Sequence, residues 1–419
     1  MIICVWNIGS STALKFELIK LAEESLTARG QIKPFEQVLA KGKIRRIGSQ
    51  NAYLSFSCHL KTLDIPGTGT RFAHDIEAGV DLLLEKLLDS QTIGTLDEID
   101  ACAFKTVHLQ GADSAKGTME LTPQILERMR SFSSVAPAHN PPYLELINAC
   151  QMHIPNVLMI GAFEFEFHHT IPPHAYLYSV PHEWSQKWGI RRYGFHGASH
   201  QYVAERVAEL YPNQPELKLI NVHLGGSSSL CAIRDGKSID TSMGFSPQGA
   251  IPNATRNGGF DLFAGLWLME NEGMSSDWLR KQLCGNSGLA GVSGIAGGNL
   301  PKIQREAARG NVFCQNALDL LAYESCKKIG AYAAALGGLD VLTFTGGIGE
   351  HESRLRVKIC ERLAFLGIKI DSNRNRVHDE NRISADDATV SVWVIPTHEE
   401  IIVARRVSKY VKRKGQSTP

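Results

Sequence analysis

The 419-residue sequence carries almost no net charge, with 44 Lys and Arg against 43 Asp and Glu and a formal balance of +1. A chain without a dominant sign excludes nucleic acid and membrane surfaces as main partners, so any anion site must be local. No apolar run approaches 18 residues, so no membrane span is expected. The nine cysteines are scattered, without a CxxC pair or a zinc spacing. They read as small buried apolar side chains in a reducing compartment. Residues 2–6 are too short for a signal peptide and no basic stretch precedes them, so the expected location is cytoplasmic.

What is present is a globular composition, 43% apolar and 21% charged. The length exceeds one ordinary core and predicts two domains. Residues 2–6 (IICVW) read as a strand, residues 14–18 as a returning strand, and the link between them is small and polar. Such a turn offers N–H and hydroxyl donors from Gly9, Ser10, Ser11 and Thr12, with Lys15, to an anion. The pattern recurs at 219–224, 225–229 and 230–234. A third glycine-rich turn, 346–350, follows a strand at 339–345. Helical spacing predicts helices at 74–92, 121–129, 143–150, 200–210, 260–271, 276–283, 300–308, 312–336, 353–366 and 398 to about 410. A basic tail from 409 is expected to fray. The seam falls near Glu164. Residues 1–164 form a first domain onto which a helix at about 398–412 packs back, and 165–397 form a second, nucleotide-binding one.

Several motifs are more specific than these patterns. They are Asn7-x-Gly9-Ser10-Ser11, APAHNP at 136–141, RRYGFHG at 191–197 followed by Ala198-Ser199-His200, HLG at 223–225, DTSMGFSP at 240–247, FTGGIGE at 344–350 and VIPTHEE at 394–400. Through them the chain resembles the acetate kinase family, within the acetate and sugar kinase and actin superfamily, over almost its whole length. The resemblance implies an α/β fold of duplicated actin-like (ribonuclease H-like) domains, with mixed sheets flanked by helices around a central cleft. It also implies direct in-line transfer from ATP to acetate, Mg²⁺ (or Mn²⁺), and a homodimer.

Phosphoryl transfer needs charge neutralisation and alignment more than covalent help. The resemblance implies that Arg256 and His196 stabilise the transferring phosphoryl and that Glu164 orients the acceptor. Lys105, His139 and His168 would bind the carboxylate substrate. Asn7 and Glu399, each just past an apolar strand, would hold the metal through oxygen. Lys15, Ser10, Thr12, His223, Leu224, Gly225, Gly226 and Ser227 would bind the nucleotide. So would Gly298, Asn299, Leu300, Gly347, Ile348, Gly349, Glu350 and His351. Backbone N–H groups of the two glycine turns would serve the phosphates.

The sequence departs from the family pattern inside this set. Gly226 stands where the family has Asn, Lys105 where it has Arg, and Glu164 where it has Asp. Glu166 offers an alternative carboxylate, on the same face as Glu164 if the segment is extended. Gly297-Gly298-Asn299-Leu300 replaces Ser-Asp-x-Arg, His351 replaces Asn, and Gly259 replaces Asp. One extra residue separates Gly9 from Lys15, and carried straight through a strand it would turn Lys15 to the wrong face. Three readings stay open: a working short-chain carboxylate kinase, a homologue with another carboxylate or phosphoryl donor such as pyrophosphate, and a weak or inactive binding protein.

Overall fold

The computed structural model describes residues 1–9, 13–26, 32–49, 51–58, 61–66 and 74–416, of which 23–26, 32–35 and 61–66 are described in backbone only. Ser10 and Thr12 lie outside the described residues. The chain divides into two compact units, one of residues 1–166 and 398–419 and one of residues 167–397.

The first unit is built on an eight-stranded sheet. Its strands are β1 (Ile2–Gly9), β2 (Ala13–Leu26), β3 (Ile32–Arg45), β4 (Tyr53–Cys58), β5 (Lys61–Pro66), β6 (Ala101–Phe104), β7 (Thr118–Glu120) and β8 (Leu158–Ala162), in spatial order β5-β4-β3-β2-β1-β6-β8-β7. β1 pairs antiparallel with β2 and parallel with β6. Its residues Ile3 to Trp6 are fully buried, which explains an apolar run with no alternation: a central strand is covered on both faces. Three helices belong to this stretch of chain, α1 (Ile76–Asp89), α2 (Pro123–Ser131) and α3 (Asn140–His153). α1 starts at Asp75, whose carboxylate accepts from the Ala78 N–H, and α2 at Thr122, with Pro123 in its first turn; both are ordinary N-cap chemistry.

The second unit holds β9 (Lys218–His223), β10 (Ser229–Arg234), β11 (Lys237–Thr241), β12 (Val341–Thr345), β13 (Asn381–Arg382) and β14 (Ser391–Val394), ordered β11-β10-β9-β12-β14-β13. β9 is antiparallel to β10 and parallel to β12, and β12 is parallel to β14. The sequence β3-β2-β1-β6-β8 of the first sheet is therefore repeated as β11-β10-β9-β12-β14 in the second, with the same directions. The duplication expected from the two strand–turn–strand patterns is present in the topology.

Helices of the second unit are α4 (Pro173–Tyr176), α5 (His182–Trp188), α6 (Gly197–Leu210), α7 (Leu262–Asn271), α8 (Ser276–Gly285), α9 (Gly288–Ser293), α10 (Leu300–Ala308), α11 (Val312–Leu336), α12 (Gly346–His351) and α13 (Ser353–Glu361). Alternation along β9 sorts its side chains. Ile220 and Val222 join the core with α11, through Leu321 and Ile329. Leu219 packs with Val203 and Val207 of α6 on the other face. That second face also receives Asn221 and His223.

Helix α14 (Glu399–Gln416) returns to the first unit and packs on β1, β2, β6 and β8. The tail expected to fray from residue 409 is helical through Gln416. An Arg405–Glu36 pair with one contact of 2.8 Å and a Lys414–Glu120 pair at 2.5 Å hold it. A second expectation also fails: residues 346–350 are the helix α12, not an open turn. The N–H groups of Ile348 and Gly349 both donate to the Leu224 carbonyl, which draws the chain straight from β12 into a helical turn.

Candidate active site

In the first unit, Asn7 sits near the end of β1 and is buried. Its Nδ2 donates to Glu400 Oε1 at 3.0 Å, and its Oδ1 accepts from the Tyr143 hydroxyl at 3.3 Å. That hydroxyl accepts from the Ile8 N–H at 3.2 Å. Lys105 follows β6 where the chain leaves the sheet, the Thr106 N–H donating to the Phe104 carbonyl two residues back. The tight turn turns Lys105 out of the strand, and its ammonium pairs with Glu399. Burial works against the Lys105 charge, but the carboxylates of Glu164 and Glu399 outweigh it and hold the pKa above its ordinary value. Tyr143 is pushed up by burial, opposed by Lys105. Asn7, Lys105, Tyr143, Glu164, Glu399 and Glu400 thus form one buried polar group with three carboxylates and one cation.

The extra residue before Lys15 does not turn it away. The ladder runs unbroken from Ile2↔Lys20 to Gly9↔Ala13, with Asn7 directly opposite Lys15. Directly opposed residues of an antiparallel pair share a face, so Lys15 is on the Asn7 face. It lines a groove with Glu17, Lys41, Lys43 and Glu400.

The choice between Glu164 and Glu166 is made by the backbone. The segment is not extended: Glu166 opens a short 3₁₀ turn, Glu166–Thr170. Its carboxylate accepts from Thr118 Oγ1 at 2.5 Å and lies 3.6 Å from Arg406. Glu166 is thus engaged by Thr118 and Arg406, and Glu164 is the carboxylate beside Lys105. His139 is the residue before α3 and is half-buried.

In the second unit, Arg256 is 2% exposed. Its Nη1 donates to the Pro247 carbonyl at 2.8 Å, and its Nη2 has no hydrogen-bond partner among the described residues. Burial pulls its pKa down to about 10, so it remains a cation at neutral pH. The loop around it is tied to the first glycine turn: the Ala254 N–H donates to the Gly226 carbonyl, and Asn253 Oδ1 accepts from the Ser228 N–H at 2.6 Å. Among the described residues the N–H groups of Gly226 and Ser227 donate to nothing, and the buried Ser227 hydroxyl has no partner. An added Cβ at Gly226 would meet nothing within 4 Å, so the missing family side chain leaves open space.

His196 precedes α6 with φ 56°, a left-handed conformation uncommon for a residue with a Cβ. Its ring stacks on His223 with centroids 4.3 Å apart. His168, expected at the carboxylate, is fully buried. Its Nδ1 is bonded to Ser238 Oγ at 2.8 Å and its Nε2 to the Phe195 carbonyl at 3.0 Å. Both ring nitrogens are committed to supporting the RRYGFHG segment, which makes it a core histidine.

The other nucleotide candidates divide. Glu350 Oε1 accepts from the Gly346 N–H at 2.8 Å and the Thr397 N–H at 3.4 Å. With Ile348 and Gly349 bonded to Leu224, this turn has fewer donors for phosphate than the sequence suggests. Leu224 and Leu300 are buried in the apolar core, and the Asn299 side chain caps α10 by accepting from the Lys302 N–H. Gly298 has φ +62°, and a Cβ there would lie 2.1 Å from the Ala254 carbonyl oxygen. Its role is close approach to the Arg256 loop. Gly298→Ala is therefore expected to destabilise by on the order of 3 kcal/mol. Gly297→Ala, at φ +72° with nothing within 4 Å, should cost about 1 kcal/mol. Equal denaturation midpoints for the two variants would contradict this account. Gly347 and His351 complete the α12 segment, and the His351 ring lies 5.3 Å from that of His378.

Tyr143, Glu400, Ser229, His200 and Asn221 were not singled out from sequence. Glu400 adjoins Glu399 in the same motif, and only the Asn7 contact distinguishes their roles. Nothing linear marks Tyr143, which reaches Asn7 from another element.

Comparison with known proteins bears on the family and the fold. A model of the acetokinase family matches residues 2–405. The acetate kinase of Dictyoglomus turgidum is 40% identical over 419 residues, covering 99% of this chain and 98% of its own. That of Phocaeicola vulgatus is 38% identical over 413 residues, covering 96% and 98%. Among solved structures, Porphyromonas gingivalis acetate kinase superposes with a TM-score of 0.79 at 32% identity, covering 98% of this chain and 99% of that one. A propionate kinase from Francisella tularensis superposes at 0.82 with 30% identity, covering 96% and 98%. With the duplicated sheets, the buried Arg256 and the Asn7–Glu400 corner on the same chain, these matches establish that the protein belongs to the acetokinase family.

Proposed function

We propose that this chain transfers the γ-phosphoryl group of ATP to a short-chain carboxylate, acetate first, by direct in-line attack of a carboxylate oxygen on phosphorus. The observation that carries this reading is Arg256. A buried guanidinium with one nitrogen bonded to a carbonyl and another without a hydrogen-bond partner among the described residues is a desolvated cation suited to a planar, multiply charged oxyanion. Beside it, the donors of Gly226 and Ser227 suit phosphate oxygens of the nucleotide. Lys105 sits against the Glu164 and Glu399 carboxylates and supplies positive charge for the acceptor carboxylate. Glu164 orients that acceptor, His196 donates to the transferring group, and Lys15 lies on the phosphate face.

The family uses a divalent metal, and Mg²⁺ is the natural choice here. Asn7 Oδ1, Glu399 and, next to them, Glu400 are hard oxygen donors in one buried group, as such an ion requires. When bound, the ion neutralises charge on the donor phosphates.

Acyl-phosphate formation measured with acetate, propionate and butyrate, each with ATP and with pyrophosphate, tests this reading. Turnover is expected with acetate and ATP, and no turnover above an Arg256→Ala control in any pair would sink it. Pyrophosphate is included because one observation favours a looser nucleoside grip: Asn299 caps a helix and Leu300 is core.

We further infer that the working form is a homodimer in the cytoplasm. No helix among the described residues is long and apolar enough to cross a membrane. Helix α7 is apolar on all sides as far as Met269, with Leu262 71%, Phe263 76% and Trp267 53% exposed. Such a patch is larger than lone surface apolar residues require, and a second copy of this chain is the occupant proposed. Light scattering should give twice 46.0 kDa, and Phe263→Glu with Trp267→Glu should give the monomer; a monomeric parent chain would reject the idea.

A further inference from the structure

We propose that Thr343, Asn221, His200 and Ser229 form a directional hydrogen-bond relay that fixes the tautomer of His196. The relay makes His196 present Nε2–H, and not a bare nitrogen, to the transferring phosphoryl group. This rests on the role given to His196 above, and the four residues are positioning residues that act through it.

The chain of bonds begins inside the sheet. Asn221 of β9 and Thr343 of β12 are register partners, both fully buried. The Thr343 hydroxyl donates to Asn221 Oδ1 at 2.8 Å. The Ile220 carbonyl, also in reach of this hydroxyl, lies farther away at 3.4 Å, so the shorter contact takes the proton and assigns the amide oxygen, and the amide nitrogen faces the other way, toward His200 Nδ1 at 2.9 Å. An amide NH₂ can only donate. His200 Nδ1 is therefore the accepting nitrogen, and the ring proton sits on Nε2.

His200 is fully buried, and burial, reinforced by the neighbouring His168 and His223, pulls its pKa well below the ordinary histidine value. The ring is neutral, with one proton to give. Its Nε2–H donates to Ser229 Oγ at 2.9 Å. A serine hydroxyl has a single proton, and the remaining contact of Ser229 Oγ is His196 Nδ1 at 2.8 Å. The hydroxyl proton points there. His196 Nδ1 accepts, and its own proton is on Nε2.

Local structure brings these groups together. His196 and His200 are one helical turn apart, and i and i+4 share a face. Asn221 lies on the face of β9 turned to α6. Ser229 is the last residue of the glycine turn and the first of β10, opposite His223. His223, stacked on His196, has its Nδ1 bonded to Ser199 Oγ at 2.8 Å. The left-handed backbone of His196 is of the strained kind that clusters at functional sites. Every member beyond His196 is fully buried, so the order of donation is set by the fold and not by solvent.

The test is nitrogen NMR on histidine-labelled protein without substrates, together with steady-state kinetics. His196 is expected as the Nε2–H tautomer. Ser229→Ala should lower kcat about tenfold with KM for ATP changed less than about twofold, because losing one aligned donor costs up to about 10²–10³-fold and the ring itself remains. Ser229→Thr should restore most of the rate. Thr343→Val, which keeps the side-chain shape and removes the donor to Asn221 Oδ1, frees the Asn221 amide to reverse and should yield a mixture of His196 tautomers. His196 found as Nδ1–H overturns the proposal, and so does an unchanged kcat in Ser229→Ala. The tautomer is read without turnover, so a chain inactive with every substrate pair would refute the proposed reaction and leave the relay to be judged by its NMR signals.

Discussion

Replacing Arg256 by alanine is expected to lower kcat by about 10³-fold or more, the range over which an arginine at a transferring phosphoryl group acts. The expectation follows from where the charge sits. Arg256 is held in a buried site by a carbonyl contact and has no carboxylate partner among the described residues. Burial disfavours its charge, enough to bring the pKa to about 10, so the folded protein carries a cost that a bound anion can offset. The same reasoning gives a second readout. Folding depresses this pKa, so the charge is a burden below about pH 10 that is relieved as pH rises through it. Arg256→Met should then unfold no earlier than the parent chain at neutral pH, while losing thermal stabilisation by phosphate ligands. A variant that loses stability and keeps ligand stabilisation would make Arg256 structural. Arg256→Lys should recover little, since an ammonium lacks the planar fork.

Replacing Lys105 by alanine should have the next largest effect. Its ammonium is the cation of a buried group that also holds Glu164, Glu399 and Glu400. Removing one partner of a buried pair leaves the other uncompensated, at a cost of about 3–5 kcal/mol. The bared carboxylates would take up a proton, so the acid limb of the pH–rate profile should move to higher pH. KM for acetate should rise at least about tenfold, with KM for ATP little changed. Lys105→Arg should keep the fold and lower KM for acetate, because a guanidinium binds a carboxylate through two parallel bonds. Acetate KM values equal in all three proteins would remove Lys105 from the acceptor site.

Particular residues show where sequence reading stops. The apolar runs at β1, β9 and β12, the strand–turn–strand repeats and the Arg256 and His196 motifs were all legible, because burial and turn chemistry act over a few neighbouring residues. The 346–350 segment reads as an open turn but is helical, since the N–H groups of Gly346, Ile348 and Gly349 are taken by the Glu350 side chain and the Leu224 carbonyl. His168 read as a ligand is a core histidine for the same reason: Ser238 and the Phe195 carbonyl reach it from distant positions. Glu164 and Glu166 were separable only by a 3₁₀ turn.

By itself the sequence determined the family, the duplicated architecture and the set of charged and small residues proposed for the chemistry. These depend on composition and on spacings within single elements. The tertiary structure alone decided how that set is used. It put Lys15 opposite Asn7 by an unbroken ladder, gave Asn7 to Glu400 and Lys105 to Glu399, and left Arg256 with a donor unanswered among the described residues. It also threaded Thr343, Asn221, His200 and Ser229 into one line of bonds. Hydrogen bonds and ion pairs between residues far apart along the chain carry no local signature, so their partners and direction exist only once strands and helices are packed.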